Sequence, residues 1–153
     1  MKRRIYTDTS VIGGCLDDEF QDASQALFDR FRDGKDLILV SELTLLELKD
    51  APSPVRKVLK TVPTAHRKDV DFTEAAAELA ERYLQAGVVG RASRLDAQYI
   101  ATATLCRADV LVSWNFQHVV NLERIRGYNS VNLRQGHAML EIRSPREVLS
   151  YDE

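Results

Sequence analysis

Three carboxylates, Asp8, Glu47 and Asp96, stand where an α/β chain can do chemistry. Asp8 closes the short apolar stretch that opens RIYTDTSVI and runs directly into Thr9 and Ser10. Ligands of open parallel sheets gather outside the carboxyl ends of strands, so an anion at that place faces a substrate. Glu47 follows the run DLILV, and Asp96 lies just upstream of DVLVSW. If all three acids meet at one rim, their mutual repulsion is costly without a cation. Hard oxygen donors suit a divalent ion such as Mg²⁺ or Mn²⁺, whereas Cys and His are too scarce at ligand spacing for zinc. His66, His118 and His137 are far apart and read as surface or packing residues, with only His118 near the presumed rim.

Each acid also has a plainer role open to it. Asp8 suits an Asx turn with the backbone beyond it, Glu47 a surface helix position, and Asp96 the third position of a helix. Glu42 rivals Glu47 at the same strand end.

The elements that must position these residues alternate strand and helix, which favours parallel βαβ units. After the first strand, Phe20, Ala23, Leu27, Phe28 and Phe31 recur at helical spacing, behind an acidic start at Asp17, Asp18 and Glu19. Gly34 punctuates, DLILV reads as a buried strand, and Ser41 is placed to cap a helix carrying Leu43, Leu46 and Glu47. Ser53 and Pro54 open another helix through Leu59. From Thr73, the stripe Ala76, Leu79, Ala80, Tyr83 and Leu84 runs to Gly87. In SRLDAQYIATATL, Ser93 and Asp96 have the spacing of a capping box. DVLVSW is the third clear strand. WNFQHVVN is expected to begin a helix through Arg126, with YNSVN and LEIRS as extended segments. Ser144, Pro145 and Glu147 complete a helix start.

Residues 1–153 make one domain, long enough to bury a core without staples. Its formal charge of -2 excludes a strongly basic nucleic-acid coat, leaving only local clusters. Of these, Arg91, Arg94 and Arg124 are candidates for RNA phosphates or plain solvated charge. Cys15 and Cys106 fit free thiols in a reducing compartment. No run reaches membrane-span length and no secretory h-region follows the basic N-terminus, so a cytoplasmic location is expected.

In order and rough spacing, IYTDTSVI, SELTLLEL, LDAQYIATATL and DVLVSWNFQHV resemble the motifs of PIN-domain ribonucleases, and most of all the VapC-like toxins of type II toxin–antitoxin pairs. The resemblance covers nearly the whole chain. It implies a three-layer α/β/α domain around a central parallel sheet, with Asp8, Glu47 and Asp96 as the first three catalytic, metal-binding acids and Ser10 in support. Asn115 stands where the family's fourth acid falls; it keeps a carbonyl oxygen for a metal but removes a charge. Asp109 precedes that strand and belongs at the opposite rim, and Trp114 fits the core or a base stack. The implied activity is Mg²⁺- or Mn²⁺-dependent endoribonuclease cleavage of RNA by a homodimer neutralised by a small antitoxin protein. The substitution at Asn115 keeps open a PIN-like module that binds RNA or protein without cutting. A phosphatase-like reading of Asp8 as nucleophile lacks the second Asp two residues on, where Ser10 stands.

Overall fold

The computed structural model describes residues 2–150. Five parallel strands form its centre: β1 (Arg3–Thr7), β2 (Asp36–Ser41), β3 (Arg67–Val70), β4 (Val110–Val112) and β5 (Ile142–Arg143), in the order β3-β2-β1-β4-β5. Ile5 pairs with Ile38 on one side and Val110 on the other, and Tyr6 likewise with Leu39 and Leu111.

Successive strand side chains point to opposite faces, and that alternation makes the layers. Ile5, Ile38, Val40, Val110 and Val112 pack with α1 (Thr9–Gly14), α2 (Gln21–Arg32), α4 (Ser53–Lys60) and α8 (Pro145–Ser150). Tyr6, Leu39, Leu111 and Ile142 pack with α5 (Glu74–Gln85), α6 (Arg94–Leu105) and α7 (Leu122–Arg134). Between them α3 (Glu42–Lys49) sends Leu43 to one core and Leu48 to the other. The result is the three-layer α/β fold with a parallel sheet that the sequence leads one to expect.

The chain lays β2 and β3 to one side of β1, then crosses through α5 and α6 to lay β4 and β5 on the other. Strand order therefore reverses between β1 and β4, and a cavity lined by Ser10, Trp114 and Asn115 opens beyond their carboxyl ends. Asp8 follows β1 there, its amide donating to the Val112 carbonyl at 3.3 Å. Asp109 accepts from the Arg4 amide at the far rim.

Several local expectations change. Ser41 does not cap α3, because its hydroxyl pairs with the buried Tyr6 hydroxyl at 2.5 Å. Ser93 closes a 3₁₀ turn, Arg91–Ser93, and makes no capping box with Asp96. WNFQHVVN is a turn in which Val119 and Val120 donate back to the Asn115 carbonyl; helix begins only after Asn121, whose side chain caps α7. YNSVN is helical within α7. Its buried asparagines have partners: Asn129 bonds both backbone groups of Leu140, and Asn132 accepts from Tyr83 and donates to Thr104. The Ser144–Glu147 box forms as read, each residue's amide donating to the other's side chain.

Candidate functional site

Asp8, 8% exposed, caps α1 from the end of β1. One carboxylate oxygen accepts from the amide and hydroxyl of Ser10, the other from the Ser113 hydroxyl at 2.5 Å. The Asx-turn reading of Asp8 is met, at the carboxyl end of β1. Ser10 Oγ in turn accepts from the Trp114 amide at 3.0 Å, and Ser113 Oγ from the Asn115 amide at 2.9 Å. Two serines thus tie the ends of β1 and β4 together through the Asp8 carboxylate. Burial pushes the Asp8 carboxyl up to about 6; the serine hydroxyls pull it down and the charge of Asp96 adds to the rise.

Glu47 lies on α3 at the same rim, where one carboxylate oxygen accepts from Thr9 Oγ1 at 2.9 Å and from the Tyr99 hydroxyl. Its rival Glu42 is exposed at the start of that helix. Burial first, then Glu47, holds the Tyr99 phenol far above its ordinary range, so it serves as a donor. Asp96, half-buried on α6, is raised by burial; His118 opposes the rise and Glu47 adds to it. Across the crevice, Asn115 Nδ2 faces Asp96 at 3.4 Å. Asn115 Oδ1 is already engaged, accepting from the amides of Gln117 and His118 at 3.1 and 2.9 Å. The Asn115 carbonyl thus caps the turn that follows β4. Beside it, the buried Nδ1 of His118 has no hydrogen-bond partner among the described residues.

The structure brings Asp8, Glu47, Asp96, Ser10 and Asn115 to one crevice and couples the acids electrically. It does not close them into a cage: among the described residues, no three His, Cys, Asp or Glu side chains converge to hold a metal ion. In kind, three carboxylates at one rim suit a hard cation; in spacing, the set stands open.

Sequence reasoning missed Ser113, Tyr99 and Thr9. Tyr99 sits three residues after Asp96, the helical interval that places both on one face, so a signal was present. Ser113 had only the break it makes in an apolar strand. Of the candidate phosphate contacts, Arg94 pairs with Glu81 at 3.1 Å and Arg124 donates to the Val88 carbonyl, while Arg91 stands exposed. Trp114 belongs to the core, 5% exposed. Cys15 and Cys106 are free thiols. Among the described residues, no helix is long and apolar enough to cross a membrane.

No protein-family model and no curated protein matches the chain. Among solved structures, it is similar to a chain in the crystal structure of VapBC2 from Rickettsia felis bound to a DNA fragment from their promoter. That likeness has a TM-score of 0.56 at 12% identity and covers 92% of this chain and 98% of that one. It is a likeness of fold.

Proposed function

We propose that this chain is a metal-dependent endoribonuclease and the toxin of a toxin–antitoxin pair. The observation that carries the reading is the Asp8 carboxylate, buried where strand order reverses and held on both oxygens by serines that follow β1 and β4. The similarity in fold to a chain of the VapBC2 complex supports the toxin assignment. Asp8, Glu47 and Asp96 would hold Mg²⁺ or Mn²⁺. Such a cation would supply an activated water and would neutralise charge on the phosphoryl oxygens of RNA. The chain's own residues prepare that work. Ser10 and Ser113 fix both oxygens of Asp8, Thr9 and Tyr99 orient Glu47, and Asn115 spaces Asp96 from the turn after β4. A small antitoxin protein, a homodimeric assembly and a cytoplasmic setting belong to the same reading.

A second reading, a PIN-like module that binds RNA or protein without cutting, is favoured by the open spacing of the acids and the engaged carbonyl of Asn115. Incubating the purified chain with single-stranded RNA separates them. Cleavage in Mg²⁺ or Mn²⁺, silenced by EDTA, is expected, with Asp8→Asn, Glu47→Gln and Asp96→Asn each losing roughly 100-fold or more in rate. Full metal-dependent cleavage by folded Asp8→Asn protein would remove Asp8 from the chemistry. RNA binding without any cleavage by the wild type would establish the second reading.

A further inference from the structure

Beside Ser10 and Asn115 the crevice continues into a cavity of about 420 Å³, whose other walls are Gly13, Gly14, Asp17, Phe20 and Trp114. Its aromatic wall is fixed. The Trp114 indole N–H donates to Ser24 Oγ at 2.8 Å, Phe20 stacks on the ring with centroids 4.3 Å apart, and the Arg146 guanidinium lies 5.0 Å from its centroid. Gly14 is what admits the indole, since a Cβ there would stand 2.8 Å from the indole nitrogen and 2.5 Å from Ser24 Oγ. Gly13 is different: a Cβ would meet nothing within 4 Å, so its backbone borders open space.

We propose that this cavity is a nucleobase subsite for the nucleotide next to the phosphodiester addressed by Asp8, Glu47 and Asp96, and that Asp17 makes it prefer guanine. The proposal rests on the ribonuclease reading of the adjoining acids. The cavity's volume falls within the range of small-molecule pockets, and Phe20, half-buried in its wall with one face on the indole, is the ring left for a base of any kind to stack on. A phosphate is the wrong occupant, because Asp17 would repel it. Asp17 is exposed, and one of its oxygens receives the Glu19 amide at 2.8 Å while the other has no partner among the described residues. Such a carboxylate accepts from donors only. Guanine alone among the four bases presents two adjacent donor groups, a ring N–H and an amino group, to the fork of a carboxylate.

Trp114 is the chain's single tryptophan, so its fluorescence reports on the cavity directly. The wild-type protein, held in EDTA so that nothing is cut, is titrated with the dinucleotides GpU, ApU, CpU and UpU. A saturable change is expected with all four, GpU binding about tenfold tighter than UpU. Gly13→Leu, which places a side chain in open space on a helical backbone, is expected to weaken every dinucleotide about tenfold while its thermal melt matches the wild type. Asp17→Asn keeps the turn and should erase the preference for GpU. Equal GpU affinity in the wild type and Gly13→Leu, or no change with any dinucleotide, overturns the subsite. An unchanged GpU preference in Asp17→Asn overturns the guanine assignment. A protein that cuts RNA in Mn²⁺ yet fails these titrations keeps the nuclease reading and loses the subsite. One that passes them but cuts nothing keeps the subsite within a binding module.

Discussion

At Asp8, burial opposes ionisation while three hydrogen bonds from Ser10 and Ser113 favour it, and burial wins, lifting the carboxyl from its ordinary 3.8 to about 6. The folded chain therefore binds that proton more tightly than the unfolded chain does. Its contribution to stability is fully present below about pH 4 and is lost as pH rises through about 6. In EDTA at pH 8, Asp8→Asn is expected to be more stable than the wild type by up to about 3 kcal/mol, with the gap closing at pH 4. Denaturant melts at the two pH values check this; an equal difference at both would show that burial of the Asp8 charge is not what strains the site. Adding Mn²⁺ at pH 8 should stabilise the wild type and leave the variant behind. Ser113→Ala removes a donor to Asp8 and the acceptor of the Asn115 amide. It should cost about 1–2 kcal/mol and move the pH transition upward, as read from the same melts.

The turn after β4 sets part of the rim, while the cap at the start of α8 serves only its own helix. Asn115→Asp preserves the cap, since a carboxylate accepts from the Gln117 and His118 amides as well as an amide oxygen does. What changes is the far side of the group, where the contact to Asp96 at 3.4 Å becomes one between like charges. In EDTA the variant should lose about 1 kcal/mol, and in Mn²⁺ it should reach half-maximal cleavage at a lower metal concentration. Overlapping Mn²⁺ titrations would confine Asn115 to capping. At α8, Ser144→Ala breaks a reciprocal cap and should cost about 1 kcal/mol without shifting the Mn²⁺ curve, because the cap is made within residues 144–147 and bonds none of the three acids. A shifted curve would tie that helix to the site.

For the molecule as a whole, the reversal of strand order between β1 and β4 collects residues from β1, α3, α6 and β4 at one crevice. Such a crevice, lined by acids, should attract a partner's cationic side chain, most readily an Arg, whose fork pairs with carboxylates. The homodimer expected from the resemblance is checked by light scattering on the purified chain. A mass twice that of one chain is expected at micromolar concentration, and a monomer there would exclude it.

The sequence by itself determined the class of fold and the place of the first acid. The apolar runs around Ile5, Ile38 and Leu111, the stripe from Ala76 to Leu84, the Thr73 cap and the Ser144–Glu147 box all act over a few residues, so they are legible along the chain. Tertiary structure decided the rest. Strand β3, with the sequence RKDV, carries no apolar run because it lies at the edge of the sheet and, among the described residues, pairs with β2 alone. YNSVN became helix because Asn129 and Asn132 find partners at Leu140, Tyr83 and Thr104, relieving a burial that the local pattern argues against. Glu47 is the acid of α3 that reaches Tyr99, 52 positions away, and Asp8 acquired Ser113 from 105 positions away. A buried polar group is stable only when its partner arrives, and which partner arrives is decided by the order in which strands are laid side by side.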